Sequence, residues 1–148
     1  ASKEKLGFVK IDNEDGVYLG EADYATPKGR GSFVFKNDGQ SWIGYFENGE
    51  KGKYGKFYDK DGRLTYEGEY LHGERNGKGT YYYPNGSIYV GDFVRNKKEG
   101  NGVFHWDDKT RWEGTWVNDK MDGPGTYYEG EDSVPLTYSQ GNAVNNNI

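Results

Sequence analysis

Tyr66-Glu-Gly68-Glu-Tyr70, then Gly73, then Asn76-Gly77-Lys-Gly79-Thr-Tyr81-Tyr-Tyr83 and Pro84-Asn85-Gly86 make up the stretch that the rest of the chain copies. The opening aromatic recurs at Tyr18, Trp42, Tyr66, Tyr89 and Trp112, in steps of 24, 24, 23 and 23 residues. The glycine two places later recurs at Gly20, Gly44, Gly68, Gly91 and Gly114. A second glycine keeps the same steps at Gly31, Gly55, Gly79, Gly102 and Gly125. A fixed period of this size is the signature of a repeat architecture.

Each copy holds two short alternating segments. The first is aromatic-x-Gly-x-aromatic, as in Tyr89-Val-Gly91-Asp-Phe93; the second is Gly-x-aromatic-x-aromatic, as in Gly102-Val-Phe104-His-Trp106. Alternation with period two predicts strands. Gly49, Gly73, Asn96 and Asp119 stand at equivalent bends between the two segments, and these residue types tolerate positive φ. Asn37-Asp-Gly39, Lys60-Asp-Gly62 and Pro84-Asn-Gly86 link one copy to the next as tight turns. The reading is an all-β antiparallel meander of hairpins. No stretch shows helical periodicity of useful length.

Strand parity places Tyr66, Gly68 and Tyr70 on one face, shared with Gly79, Tyr81 and Tyr83. Glu67, Glu69, Thr80 and Tyr82 take the other face. Glycine without Cβ lets a neighbouring ring lie flat on the backbone. Each ring buries on the order of 150–250 Å². At about 25 cal/mol/Å² this contributes at most roughly 4–6 kcal/mol per ring. Rings over glycine therefore stand in for the usual aliphatic core, which a chain with 24 glycines, 17% aromatic and only 32% hydrophobic residues cannot build.

The boundaries follow from the repeat. Residues 1–130 read as the array, with a half repeat at 7–17 and full copies from 18, 42, 66, 89 and 112. The half repeat either continues an array upstream or caps it. The first copy is the poorest, with Ala22 where the others have Phe46, Tyr70, Phe93 and Trp116. The second has Lys53 where a mid-loop glycine is usual. Residues 131–148 read as a partly irregular extension, in which Tyr138-Ser-Gln-Gly141 is a decayed sixth start and Asn142 to Ile148 a polar tail.

The pattern Y-x-G-x-[WYF]-x-x-G-x-x-x-G-x-G resembles the MORN (membrane occupation and recognition nexus) repeat, and Tyr66 to Gly79 matches every signature position. The resemblance covers about Gly7 to Tyr128. It implies an elongated, twisted, single-layer antiparallel sheet with a groove lined by the repeat aromatics. It also implies non-catalytic work: scaffolding, tethering to cytoskeleton or membrane cortex, dimerisation and the binding of partner peptides.

Other chemistry finds little footing. The net charge of −5 and pI of about 5.1 argue against a general nucleic-acid-binding role. The chain has no cysteine, which fits a reducing compartment and excludes thiolate chemistry. Ala1-Ser-Lys-Glu-Lys5 is not a signal-peptide start, and no apolar run reaches membrane-spanning length. The runs Gly29-Arg-Gly31 and Gly77-Lys-Gly79 lack the helix that a phosphate cradle requires. Asp59-Lys-Asp61-Gly62 has Phe57 at the first ligand position of a calcium loop and reads as a turn. His72 and His105 are too far apart in sequence to make a local ligand pair. Glu67 with Glu69 and Asp107 with Asp108 are ordinary carboxylates of exposed faces and turns. The expectation is no enzyme, no metal and no cofactor.

Two functional readings remain. The first is a scaffold or interaction module that binds a partner segment, or a second copy, along the aromatic groove. Its expected residues are Tyr66, Tyr70, Tyr83, Tyr89, Phe93, Trp106, Trp112 and Trp116. The alternative is peripheral binding to anionic phospholipid through a basic loop edge of Lys28, Arg30, Lys51, Lys53, Arg75, Lys78, Arg95, Lys97 and Lys98. Asp23, Glu47, Glu50, Glu74, Glu99, Asp119 and Asp122 share those loops, and this interleaving with the acidic net charge favours the first reading. The expected location is cytoplasmic, at the cytoskeleton or membrane cortex.

Overall fold

A computed structural model describes residues 6–144. The signal-peptide reading of the first five residues and the end of the polar tail at 145–148 lie outside the described residues. Among these there are thirteen strands and no helix. Two compact units divide between Glu74 and Arg75.

The first unit contains β1 (Gly7–Asp12), β2 (Gly16–Asp23), β3 (Thr26–Phe35), β4 (Ser41–Glu47), β5 (Glu50–Tyr58) and β6 (Leu64–Leu71). Each pairs antiparallel with the next, so the strands follow chain order in one layer. The second contains β7 (Glu74–Tyr82), β8 (Ile88–Val94), β9 (Lys97–His105), β10 (Thr110–Val117), β11 (Lys120–Glu129), β12 (Asp132–Ser139) and β13 (Asn142–Val144), paired in the same way.

The two glycine series meet across the strands. In the first unit Gly20, Gly31, Gly44, Gly55 and Gly68 are successive register partners. In the second, Gly79, Gly91, Gly102, Gly114 and Gly125 are. The rows end where a side chain first appears, at Val9 opposite Gly20 and at Leu136 opposite Gly125. Over this bare backbone lie the opening rings. A Cβ on Gly102 would stand 2.4 Å from the Tyr89 ring, and one on Gly31 2.3 Å from the Tyr18 hydroxyl.

The rings also close on one another edge to face, the geometry their quadrupoles prefer. In the first unit Tyr18 meets Phe46 at 4.8 Å between centroids, and Trp42 meets Tyr70 at 5.2 Å. In the second Tyr89 meets Trp116 at 4.8 Å, and Trp112 meets Tyr138 at 5.0 Å. Within each unit the opening ring of one copy is thus covered by the second aromatic of the copy after it. Ala22 fills that second position in the first copy and is buried.

Four hairpins bend off-centre. After Gly44↔Gly55 the register jumps to Tyr45↔Gly52, which leaves Lys53 and Tyr54 of β5 unopposed. Equivalent slips follow Gly20, Gly91 and Gly114. This bulge carries positive φ at Gly29, Gly100 and Gly123, and at Lys53, where φ is 40°. The hairpin tips Asn48-Gly49, His72-Gly73, Arg95-Asn96 and Asn118-Asp119 have positive φ at both residues, the twist-matched two-residue turn.

Both ends of the array depart from the simple reading. β1 places Val9, and not Gly7, opposite Gly20, two residues out of step with Gly31 opposite Gly44. The shift of two keeps its side-chain parity. Beyond residue 130, β12 and β13 continue the pairing through residue 144. Tyr138 is not the start of a sixth copy. Its partner Gly123 and its contact with Trp112 put it in the second-aromatic place, with Leu136 where the glycine would be. The Trp112 indole N–H donates to the Leu136 carbonyl at 2.8 Å, which a strand one register away could not offer.

Candidate interaction surface

The partner residues expected from the sequence fall into two tiers. In the first unit Tyr66 and Tyr70 are buried, at 1% and 6% exposure. In the second, Tyr89, Phe93, Trp112 and Trp116 are buried as well. Tyr89 and Trp112 lie over glycines, and Tyr70, Phe93 and Trp116 pack edge-on against opening rings. Tyr83 is half-buried, and Trp106 is exposed at 36%. The accessible tier comes from the second strand of each copy. In the second unit Tyr81 and Tyr83 lie 4.8 Å apart, Tyr83 and Phe104 5.6 Å, Phe104 and Trp106 5.2 Å, and Trp106 and Tyr127 6.0 Å. Tyr81, Phe104 and Tyr127 were absent from the sequence-based set. The signal for them is the strand type: a ring in Gly-x-aromatic-x-aromatic is not the one that folds onto the glycines.

Within each unit the basic residues differ in their surroundings. Lys98 reaches over the aromatic face, with its ammonium 4.9 Å from the Tyr83 ring centre, 5.3 Å from Trp116 and 5.7 Å from Tyr89. It also donates to the Tyr83 hydroxyl. The Arg75 guanidinium lies 5.3 Å from Tyr81 and 5.4 Å from Phe93, and donates to the Asn96 carbonyl at 2.7 Å. In the first unit Lys51 stands over Phe35, Phe57 and Tyr70. All three occupy the place nine residues after an opening aromatic, where Met121 stands in the last full copy. Arg30 donates to the Tyr45 hydroxyl at 3.1 Å, and Lys78 pairs with Asp92. Lys53, Arg95 and Lys97 are exposed, and Lys28 is half-buried.

Arg75, Tyr81, Tyr83, Phe93, Lys98 and Asp119 line a shallow cleft of about 210 Å³ in the second unit. Burial, then the Tyr81 and Asp119 charges, push the Tyr83 phenol up to about 12, against an opposing effect of Arg75. Burial holds the Lys98 ammonium below its usual value; Asp119 raises it and Arg75 lowers it further. Asp119 reaches into this cleft from the β10–β11 tip, where its Oδ1 accepts the Lys98 backbone N–H at 2.8 Å.

The remaining candidates are explained by turns. The Asp59 side chain accepts the Asp61 and Arg63 N–H groups, each at 2.9 Å, as a turn residue does. Asp107 accepts the Lys109 and Thr110 N–H groups, which keep its carboxyl below the usual range. Among the described residues no group of three His, Cys, Asp or Glu is placed to hold a metal ion.

Tandem β-hairpins of 23 or 24 residues, with the first ring of each folded onto paired glycines, define a class of β-repeat array. The MORN repeat model matches residues 66–88, 89–111 and 112–131, which read as three consecutive MORN repeats. Repeats of this family generally serve protein and membrane interactions and are typically non-enzymatic. The comparison with curated proteins returned no match.

Proposed function

We propose that the chain is a non-catalytic scaffold whose second unit receives a partner polypeptide segment along the strip Tyr81, Tyr83, Phe104, Trp106 and Tyr127. The observation that carries this reading is Trp106. A tryptophan 36% exposed, set between Phe104 and Tyr127 in edge-to-face and tilted contacts, is an anchor for a partner side chain. The buried rings beneath hold the strip rigid, so little ordering is required on binding. The site of action fits the cytoplasm, at the cytoskeleton or membrane cortex. No helix among the described residues is long and apolar enough to cross a membrane.

The test is photo-crosslinking from position 83 or 127 in extracts of the source cell, followed by the same experiment in Trp106→Ala. A discrete protein captured by the parent and lost from the folded variant supports the reading. Sedimentation with phosphatidylserine vesicles is the second arm. If Lys53→Glu with Lys97→Glu abolishes vesicle binding while Trp106→Ala leaves it intact, the surface is a lipid edge and the proposal fails.

A further inference from the structure

The charges of the cleft beside the strip are engaged with one another and with its rings. Burial lowers the Lys98 ammonium and Asp119 supports it; the same Asp119 accepts the Lys98 backbone N–H at 2.8 Å. Arg75 lies over Tyr81 and Phe93 and donates to the Asn96 carbonyl. The group with bonding capacity to spare is the Tyr83 hydroxyl. An ammonium has donors only, so Lys98 donates and the phenolic oxygen accepts. The proton of Tyr83 is left for another acceptor, and among the described residues none takes it. Other tyrosines close this account internally. Tyr89 in the second unit donates to the Asp92 carbonyl; in the first, Tyr18 and Tyr66 donate to the carbonyls of Glu21 and Glu69.

This donor is prepared for a ligand. Accepting a hydrogen bond from a cation strengthens a hydroxyl as a donor in its turn. Burial, ahead of neighbouring charge, pushes the phenol up to about 12, so it keeps its proton at neutral pH. The ring is held by Tyr81 and Phe104, with Lys98 over its face, and it lines the cleft. We infer that Tyr83 is a specificity-determining donor of the partner site, its hydroxyl giving a hydrogen bond to a main-chain carbonyl of the bound segment while a neighbouring apolar side chain lies on Trp106. An incoming ion would shed its water without an unengaged counter-charge to meet it, whereas an uncharged carbonyl exchanges one water for one hydrogen bond. A segment lying along the strip carries such a carbonyl at every residue. The inference rests on the proposed function, since it names what the same partner segment presents to Tyr83.

The probe is a dodecapeptide selected from a random display library on the parent chain, kept only if folded Trp106→Ala fails to bind it. A library that yields no such peptide defeats the strip and the inference together. The parent is expected to bind the probe roughly tenfold more tightly than Tyr83→Phe, the value of one good hydrogen bond. That ratio should hold between roughly 0.1 and 0.5 M salt. Replacing the peptide bonds of the probe by esters, one at a time, weakens each carbonyl as an acceptor; one position should lower affinity for the parent and leave Tyr83→Phe unaffected. In the parent complex the Tyr83 hydroxyl proton, now protected from exchange with water, should become visible by NMR, and this measurement carries the test if Tyr83→Phe does not fold. Equal affinity of parent and Tyr83→Phe overturns the inference and leaves the strip standing. A ratio that collapses with salt assigns the contact to a charged group and overturns it. So does an ester scan in which no position separates the two chains, or a hydroxyl proton that stays in exchange in the complex.

Discussion

A methyl group added to Gly55 would stand 2.0 Å from Cζ2 of Trp42, inside the space of the indole ring. The next contacts, at 2.4 and 2.7 Å, are to the same ring, which is itself fully buried and cannot swing away. Gly55→Ala should therefore destabilise by roughly 1–3 kcal/mol through overpacking. Gly7 has open space around its missing Cβ, so Gly7→Ala should change stability by less than about 0.5 kcal/mol. Urea denaturation of the two variants checks this, and equal midpoints would show that the rings do not need the glycines.

Lys53 should be improved by substitution. It holds φ at 40° in the bulge where the other copies use Gly29, Gly77, Gly100 and Gly123. A left-handed conformation costs a side-chain residue about 1–2 kcal/mol, and glycine gives back part of that in chain entropy. Lys53→Gly should stabilise by roughly 0.5–1 kcal/mol. A lower denaturation midpoint would mean that the lysine stem contributes more packing than its exposure suggests.

The buried phenols make stability sensitive to alkali. Burial, ahead of neighbouring charge, raises Tyr18, Tyr83 and Tyr89 above the ordinary tyrosine value, Tyr83 to about 12. In the unfolded chain they ionise near about pH 10. A raised folded value means stability fully present below that pH and lost as pH rises above it. Denaturation midpoints should be flat up to about pH 9 and fall from about pH 10 upward. Tyr83→Phe should flatten that fall, and a parallel fall in the variant would rule Tyr83 out as a contributor.

Tyr138 should act as a structural closing residue although it lies outside the recognised copies. Its ring covers Trp112 from β12. Tyr138→Ala should cost roughly 2 kcal/mol and shift tryptophan emission to longer wavelength as Trp112 meets water. Val134→Ala, at a side chain 54% exposed on the same strand, should cost less than about 0.5 kcal/mol. Unchanged emission in Tyr138→Ala would show that β12 does not shield the indole.

The glycine spacing was enough to read strands, turns and parity, because a missing Cβ and a two-residue turn are properties of single residues. The depth of each ring was not legible. Trp112 and Trp106 are both tryptophans on alternating segments, yet one is wholly buried and the other exposed. The difference comes from the ring's place: Trp112 folds onto Gly114 and Gly125, whereas Trp106 stands just past the end of β9. The bulge too is hidden by the constant period. Its trace is an asymmetry about the hairpin tip: residues 45–47 lie between Gly44 and the tip, and residues 50–54 between the tip and Gly55. The positions of Lys97 and Lys98 differ for another reason. Lys97 and Lys98 are neighbours in sequence, and strand alternation sends one to water and the other over Tyr83.

Because the first ring of one copy is covered by the second aromatic of the following copy, no copy owns a finished interior. Tyr18 waits for Phe46, Trp42 for Tyr70, Tyr89 for Trp116 and Trp112 for Tyr138. Within each unit the seam between copies is the same joint, so duplication or loss of one whole period there brings an equivalent ring to it. Such a chain lengthens or shortens in complete periods with little disturbance, while an insertion of any other size strands a ring without its cover.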